Sequence, residues 1–383
     1  MKTVLILGAG IGGVDIARKL SIHSGNEDNI HLIKIIVFEK EDKSVFSPSL
    51  PWLMVGNRKA DQIYKSTKKI EASGLEVVNG EIEKVDPENI SVTVKGKAYK
   101  GDYMVVSLGV EQKVKYNLDK YGFNFFQLKG AEGFHEGLKK FTGGKIAVLI
   151  SSLPYKSPAA PYEAAMLIED YISKNGLRDK TEISIYTPEK RPMEFAGKDS
   201  SNELLALLGE KGIKYFPSHQ ITSATTNSLE FDNSDNHNFD LLAFTPEHLS
   251  PAVIRKSVLA GKSGWIEVNG QTMETAYPHV YAIGDNVDLS LESGIPLPKL
   301  GIFARSQAKI VAHNIGRNIK NKESDRTFSA EGEYFIESGE GKAMPAKGHF
   351  DTSSKAKVDL KIPDHWGHIS KWWSEKYWLF KNF

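Results

Sequence analysis

The stretch TVLILGAGIGGVDIARKL, residues 3–20, decides the fold class. Val4 to Leu7 form an apolar β run, and Ile16, Ala17 and Leu20 follow at helical spacing. Between them Gly8, Gly10 and Gly13 set out GxGxxG, so the order is strand, tight turn, helix. Gly8 permits the turn, Gly10 lets the backbone approach a pyrophosphate, and Gly13 allows helix and strand to pack closely. The helix N-terminus adds N–H groups and a partial positive charge. IKIIVFEK (33–40) supplies the next strand of a βαβ unit, and its Glu39 is placed to accept hydrogen bonds from a ribose. The gap from Gly8 to Glu39 exceeds the usual ~20 residues. The polar stretch SIHSGNEDN (21–29) predicts a lengthened helix–strand loop that accounts for it.

Working outward, EVVNGEIEKVD, ISVTVKG and YMVVSLG (within 76–109) predict a small antiparallel meander returning to the main sheet. A second strand–helix series, with KIAVLI, EISIYTP, KGIKYF and FDLLAFTP, predicts a second doubly wound α/β domain. In VYAIGDNVDL (280–289) a buried strand stops at Gly284-Asp285, so Asp285 stands at the carboxyl end of a strand, where ligands of α/β sheets bind. LPKLGIFARSQAKIVAHNI then turns from a rigid loop into a helix, and a smaller region begins beyond residue 330.

The totals bound the function. The chain has 383 residues, enough for two or three domains. Its 49 basic and 48 acidic residues leave no nucleic-acid footprint. There is no cysteine, which excludes disulfides, thiolate metal sites, iron–sulfur clusters and catalysis by a thiol of this chain. None of the eleven histidines forms an HxxxH pair, so no metal site is expected. No apolar run approaches a membrane span of roughly 18 residues. MKTVLILGAG lacks the pattern of a signal peptide, so a cytoplasmic protein that touches a membrane surface is expected.

The order of these pieces resembles the two-dinucleotide-domain flavoprotein reductases, whose FAD domain is split by a second domain. The resemblance implies an α/β fold of two Rossmann-like domains plus a small C-terminal region with an amphipathic helix. The expected boundaries are 1–109 with 265–325 for FAD, 110–264 for the second domain and 326–383 for the rest. Within that group the chain is most similar to sulfide:quinone oxidoreductases and flavocytochrome c sulfide dehydrogenases. FSPSLPWLMVGNRKADQI (46–63), PYKSPAAPYE (154–163), LPKLGIFARSQA (297–308), EGEYFIESGEGKA (331–343) and the tryptophan-rich end carry the likeness. It implies FAD held by Gly8, Gly10, Gly13, Glu39 and Asp285, with Pro48, Ser49, Trp52, Gly109 and Gly301 around it. It implies Lys299 beside the flavin ring and a quinone pocket. It also implies two-electron transfer from a small donor to a quinone, on the inner face of the cell membrane.

Two departures matter. NAD-using relatives repeat GxGxxG in the second domain, whereas here the turn reads SSLPYKSPAAP. Without glycine the backbone cannot approach a pyrophosphate, and prolines remove N–H donors. The next strand, ISIYTP, ends without an acid for a ribose. The second domain is therefore expected not to bind NAD. In addition, the family's redox cysteines correspond to Ser157 and Tyr334, and a third has no counterpart. The family's persulfide route lacks its residues, because serine is a poor nucleophile without an adjacent base and forms no persulfide. Ser157 is either native to a divergent member or an engineered replacement; Tyr334 and the missing third cysteine favour the former.

Singly, Glu163 reads as a favourable acid at a helix start or a proton carrier, and Tyr334 as a core aromatic or a phenol facing the flavin. In HWGHISKWWSEKYWLFKNF (365–383) Trp366, Ile369, Trp373 and Phe380 recur at helical spacing. Trp372, Leu379 and Phe383 widen that face, and Lys371, Lys376 and Lys381 are interspersed. A Trp/Lys amphipathic helix suits a membrane interface, so residues 366–383 are expected to dock there; a core-packed terminal helix or a dimer contact is the plainer reading. Two alternatives stand beside the main reading: a single-subunit NADH:quinone reductase, and a non-catalytic flavin-binding protein.

Overall fold

The computed structural model describes residues 1–24, 33–71, 75–290, 294, 296–350 and 357–383. Its frame is a pair of parallel five-stranded sheets that share the order of four strands and differ in the fifth, an edge strand that comes last in the chain in one sheet and first in the other. In the first, Lys2–Leu7 lies at the centre. Ile33–Glu39 and then Glu76–Asn79 pair on one side of it, and Tyr103–Val106 and then Val280–Ala282 on the other. In the second, Gly144–Ile150 is central. Thr181–Tyr186 and Ile213–Phe216 lie on one side, Leu241–Thr245 and Phe123–Asn124 on the other. The chain leaves the first sheet after Val106, builds the second, and returns to the first at Val280.

Both central strands are continuous apolar runs with their inner residues buried, as strands covered by helices on both faces require. The helix Ile11–Ser24 packs against the long helix Gly301–Ile319, which follows the return strand. Val14, Ala17 and Val311 are fully buried.

Three sequence expectations change. SIHS, the first part of the polar stretch 21–29, completes the first helix, while residues 25–32 lie outside the described residues. Glu76–Asn79 belongs to the parallel sheet rather than to the meander. The meander is confined to Ile82–Asp86, Ser91–Val94 and Lys97–Lys100. Beyond residue 330 the helix does not stand alone. An antiparallel sheet of Glu331–Gly339, Lys342–His349 and Lys357–Leu360 precedes it and carries the helix His365–Lys381 on one side.

Candidate active site and cofactor cleft

The first turn is shaped as its glycines predict. Gly8 has φ +99°, and a Cβ there would meet the Ser107 carbonyl oxygen at 2.5 Å. A Cβ on Gly13 would lie 1.9 Å from the Gly8 carbonyl oxygen, so helix and strand touch backbone to backbone. Around Gly10 a Cβ would meet nothing within 4 Å. The open space lies at the start of the helix, where its free N–H groups point. Glu39 closes this end of the sheet. Its Oε2 accepts from the Ala9 N–H at 2.7 Å, and its Oε1 from Lys40 and Glu41 N–H at 2.8 and 3.0 Å. A carboxylate with two oxygens keeps lone pairs for ribose hydroxyls. Residues and space together fit a dinucleotide cofactor.

Further along, a cleft with about 1030 Å³ of empty volume opens between the two sheets and the C-terminal helix. Pro48, Ser157, Glu163, Gly301, Tyr334 and Lys371 line it, brought together from five separate parts of the chain. Ser157 sits in the left-handed region at φ 51°, and its N–H donates to the Lys299 carbonyl oxygen at 2.8 Å. The glycine-free turn is thereby hydrogen-bonded to the loop before Gly301. Tyr334 presents a buried hydroxyl with no partner among the described residues, and burial pushes its phenol up, so it stays a neutral donor. A buried hydroxyl without a partner is costly unless a ligand satisfies it. Gly109 has open space at its α-carbon, and its N–H donates to Asn286 Oδ1 at 3.1 Å. Asn286, fully buried next to Asp285, thus joins the two halves of the first sheet; the sequence motif drew attention to its neighbour instead.

Several expected residues stand differently. Ser49 does not face the cleft. Its hydroxyl donates to Glu375 Oε2 of the C-terminal helix at 2.6 Å. Trp52 is fully buried away from the cleft, with the Arg58 guanidinium 4.2 Å and the Lys371 ammonium 4.8 Å from its ring centre. Lys299 is not a surface lysine. Its Nζ lies 3.7 Å from the Trp265 ring centre and donates to the carbonyls of Asp285 and Val287 at 2.7 and 3.2 Å. Burial lowers it to about 8, against the opposing pull of the Asp285 and Asp288 carboxylates. The amine tethers the Lys299 loop to the Asp285 turn, and it does not line the cleft.

Glu163 is buried one turn into the helix Ala160–Lys174 and is ion-paired to Lys371 of the C-terminal helix. Burial raises the carboxyl to about 7, with the ammonium pulling the other way and Glu337 adding to the rise. Glu337, itself buried, is bonded to His368 Nδ1 at 2.9 Å. Lys371 therefore faces inward, 5% exposed, and not toward lipid; Leu379 is likewise buried. The outer face keeps its apolar character, with Trp366 75%, Trp373 61% and Phe380 89% exposed. Ile369 and Tyr377 continue the same exposed stripe. No helix among the described residues is long and apolar enough to cross a membrane.

The second sheet repeats the strand–turn–helix of the first without its space. Ser151 Oγ donates to the Thr245 carbonyl at 2.6 Å, and the Ser151 carbonyl accepts from Gln220 at 3.0 Å. An acid does follow the second strand: Glu189, three residues past Tyr186 and directly after ISIYTP. Unlike half-buried Glu39 it is buried, 6% exposed, so a ribose has no access to it. Tyr155 and Thr187 each donate to its Oε2 at 3.1 Å, and Tyr162 donates to the same oxygen. The tyrosines come from the turn and helix that would cradle a pyrophosphate, so the chain's own hydroxyls occupy the acid.

Residues 2–308 match the pyridine nucleotide-disulphide oxidoreductase family. The chain belongs to that family. It is homologous to sulfide:quinone oxidoreductases, being 24% identical to the mitochondrial enzyme of Mus musculus over 80% of this chain and 71% of that one. It is 23% identical to the demethylphylloquinone reductase NdbB of Synechocystis sp., over 83% of this chain and 80% of the relative. The crystal structure of the sulfide:quinone oxidoreductase of Aquifex aeolicus superposes with a TM-score of 0.87 at 21% identity, covering 100% of this chain and 91% of that one. Members of the family and these homologues are FAD-binding flavoprotein oxidoreductases, which agrees with the open glycine turn and the Glu39 end of the first sheet.

Proposed function

We propose that this chain is an FAD-dependent quinone reductase that takes two electrons from a small donor and delivers them to a quinone at a membrane surface, from the cytoplasmic side. One observation carries the reading: the cleft holding Ser157 and Tyr334 is walled by a helix whose other face is a stripe of exposed aromatic rings. A hydrophobic quinone dissolved in lipid would enter the protein beside its own anchor.

FAD would be held by the Gly8–Gly13 turn, Glu39 and the Asp285 turn, and when bound supplies the two-electron relay between donor and quinone. The protein's part is placement and protons. Gly10 leaves room for the pyrophosphate. Tyr334 is positioned to donate a hydrogen bond to a quinone oxygen, in place of the sulfur chemistry its homologues' names imply. Quinol formation requires protons, and Glu163, poised near neutrality beside the cleft, holds one at its carboxyl with Lys371 as its partner. With no thiol in the chain, a persulfide cannot form on it, so sulfide would have to react at the cofactor directly.

The test is anaerobic. The FAD-loaded protein is mixed with sulfide or with NADH, the 450 nm region is followed, and a short-chain quinone is then added. Bleaching by a small donor and reoxidation by quinone support the proposal. Rapid bleaching by NADH would instead establish an NADH:quinone reductase, which the occupied Glu189 disfavours. No quinone-dependent turnover with any donor would leave a flavin-binding protein without this activity. Glu163→Gln is expected to slow quinone-driven reoxidation by about 10²-fold while leaving donor-driven bleaching unchanged.

A further inference from the structure

Away from the cleft, at the outer end of the second sheet, three side chains from separate turns converge. They are His219, past the strand Ile213–Phe216; Asp235, in a hairpin turn; and His237, on the strand Asn236–Asn238. One ligand atom from each lies within 4.8 Å of the others. No HxxxH spacing announces them; the register Leu229↔His237 and the turn after Phe216 bring them together.

The hydrogen bonds around His219 are those of an oriented ligand. Its Nδ1 lies 2.7 Å from the Pro217 carbonyl oxygen, which places a proton on Nδ1. That leaves Nε2, the usual metal-binding atom of an imidazole so anchored, facing Asp235 Oδ2 at 3.0 Å. A lone pair opposite a carboxylate oxygen is satisfied by a cation between them. Asn233 Nδ2 supplies weak relief at 3.3 Å from Nε2 and 3.0 Å from Oδ2. Packing holds the His219 ring and limits how far the His237 ring can turn. His219 sits edge-on to Phe216 and Phe231 at 5.5 and 5.0 Å, and His237 packs on Tyr186 and Phe216, each at 4.8 Å. Asp235 is held by its own N–H donating to Asn233 Oδ1 at 3.1 Å, and it is exposed, which gives an ion its entry path.

We propose that His219, Asp235 and His237 bind one late first-row divalent cation, with Zn²⁺ as the best match. Two imidazoles and one carboxylate are a borderline nitrogen-and-oxygen set, suited to Zn²⁺ rather than to Mg²⁺ or Ca²⁺. Tetrahedral bonds of about 2.0–2.1 Å set neighbouring ligand atoms roughly 3.3 Å apart. The His219–Asp235 pair already meets that spacing, and a small rotation of His237 brings in the third, with water in the fourth position. None of the three lines the cleft, so the ion would clamp the hairpin Ser228–Asn238 onto the sheet end and serve stability rather than turnover.

The full chain with its FAD, stripped of metal by chelator and dialysis, is titrated with Zn²⁺ by calorimetry and with Co²⁺ by visible absorbance. Its melting temperature is read with and without Zn²⁺. One equivalent should bind, Co²⁺ should give the intense bands of a low-coordinate site, and Zn²⁺ should raise the melting temperature with quinone-dependent turnover unchanged. Asp235→Asn and His237→Gln lie on exposed or half-buried positions and should fold; each should weaken binding at least about tenfold. His219→Ala is avoided because that ring is packed in the core. Absence of binding to the parent chain, or equal binding in both variants, would overturn the assignment and leave a hydrogen-bonded His219–Asp235 pair.

Discussion

Gly10 and Gly13 stand three residues apart under opposite constraints. A Cβ on Gly13 strikes the Gly8 carbonyl, while one on Gly10 strikes nothing. Gly10→Ala should therefore keep the unfolding free energy of the cofactor-free protein within about 0.5 kcal/mol of the parent. It should still lose FAD affinity by at least about tenfold, since its methyl group would project into the space left for the pyrophosphate. Paired thermal melts and flavin titrations check both halves. Glu189 gives a pH signature. Burial raises its carboxyl to about 7 in the fold, with the tyrosine and threonine hydroxyls opposing. The unfolded chain releases that proton near 4.5. The folded protein thus holds the extra proton between those values, and the group's contribution is full below pH 4.5 and lost as pH rises through 7. Glu189→Gln removes this slope. Its stability relative to the parent should improve by about 2–3 kcal/mol between pH 4.5 and 8, measured by denaturant unfolding across pH.

At the scale of elements, the C-terminal helix His365–Lys381 is the one whose two faces have different jobs. The inward face is ionic: Lys371 with Glu163, Glu375 with Ser49 and Arg58, and His368 with Glu337. These buried charges are matched in pairs, as they must be where water is excluded. The outward stripe of Trp366, Trp373 and Phe380 stays largely exposed, with Trp373 edge-on to Trp372 of the same helix. Replacing all three with Ala should leave the unfolding free energy within roughly 1 kcal/mol of the parent and reduce sedimentation with anionic vesicles by about tenfold or more. Vesicle binding that survives the triple replacement would place the lipid contact elsewhere. The helical period in the sequence identified the apolar residues but not which lysine faces which way. Lys371 is next to Trp372 in sequence, and its partner Glu163 lies more than two hundred residues away.

At the scale of the molecule, two sheets that share the order of four strands differ in their first turns and acids. The first keeps an open turn and an acid free to accept. The second closes its turn with prolines and fills its acid with Tyr155 and Tyr162. Ligand-linked melting should separate them. FAD at a hundredfold its dissociation constant should stabilise the chain by about 2.7 kcal/mol, whereas NADH or NAD at millimolar concentration should shift nothing. A comparable shift with NADH would mean that the second turn opens.

Local signals carried the parts of the fold that depend on near neighbours. GxGxxG between strand and helix, the buried apolar strands, and the proline turn that refuses a pyrophosphate each rest on backbone geometry within a few residues. From these the fold class and the open glycine turn of the first sheet were legible. What tertiary structure alone decided were the pairings across the chain. It turned Ser49 and Trp52 toward the C-terminal helix, and drew Lys299 onto Trp265 and two carbonyls. It buried Lys371 against Glu163, and surrounded Glu189 with hydroxyls. Each of these depends on which distant group satisfies a charge or a hydroxyl once water is removed, and a linear pattern does not record that choice.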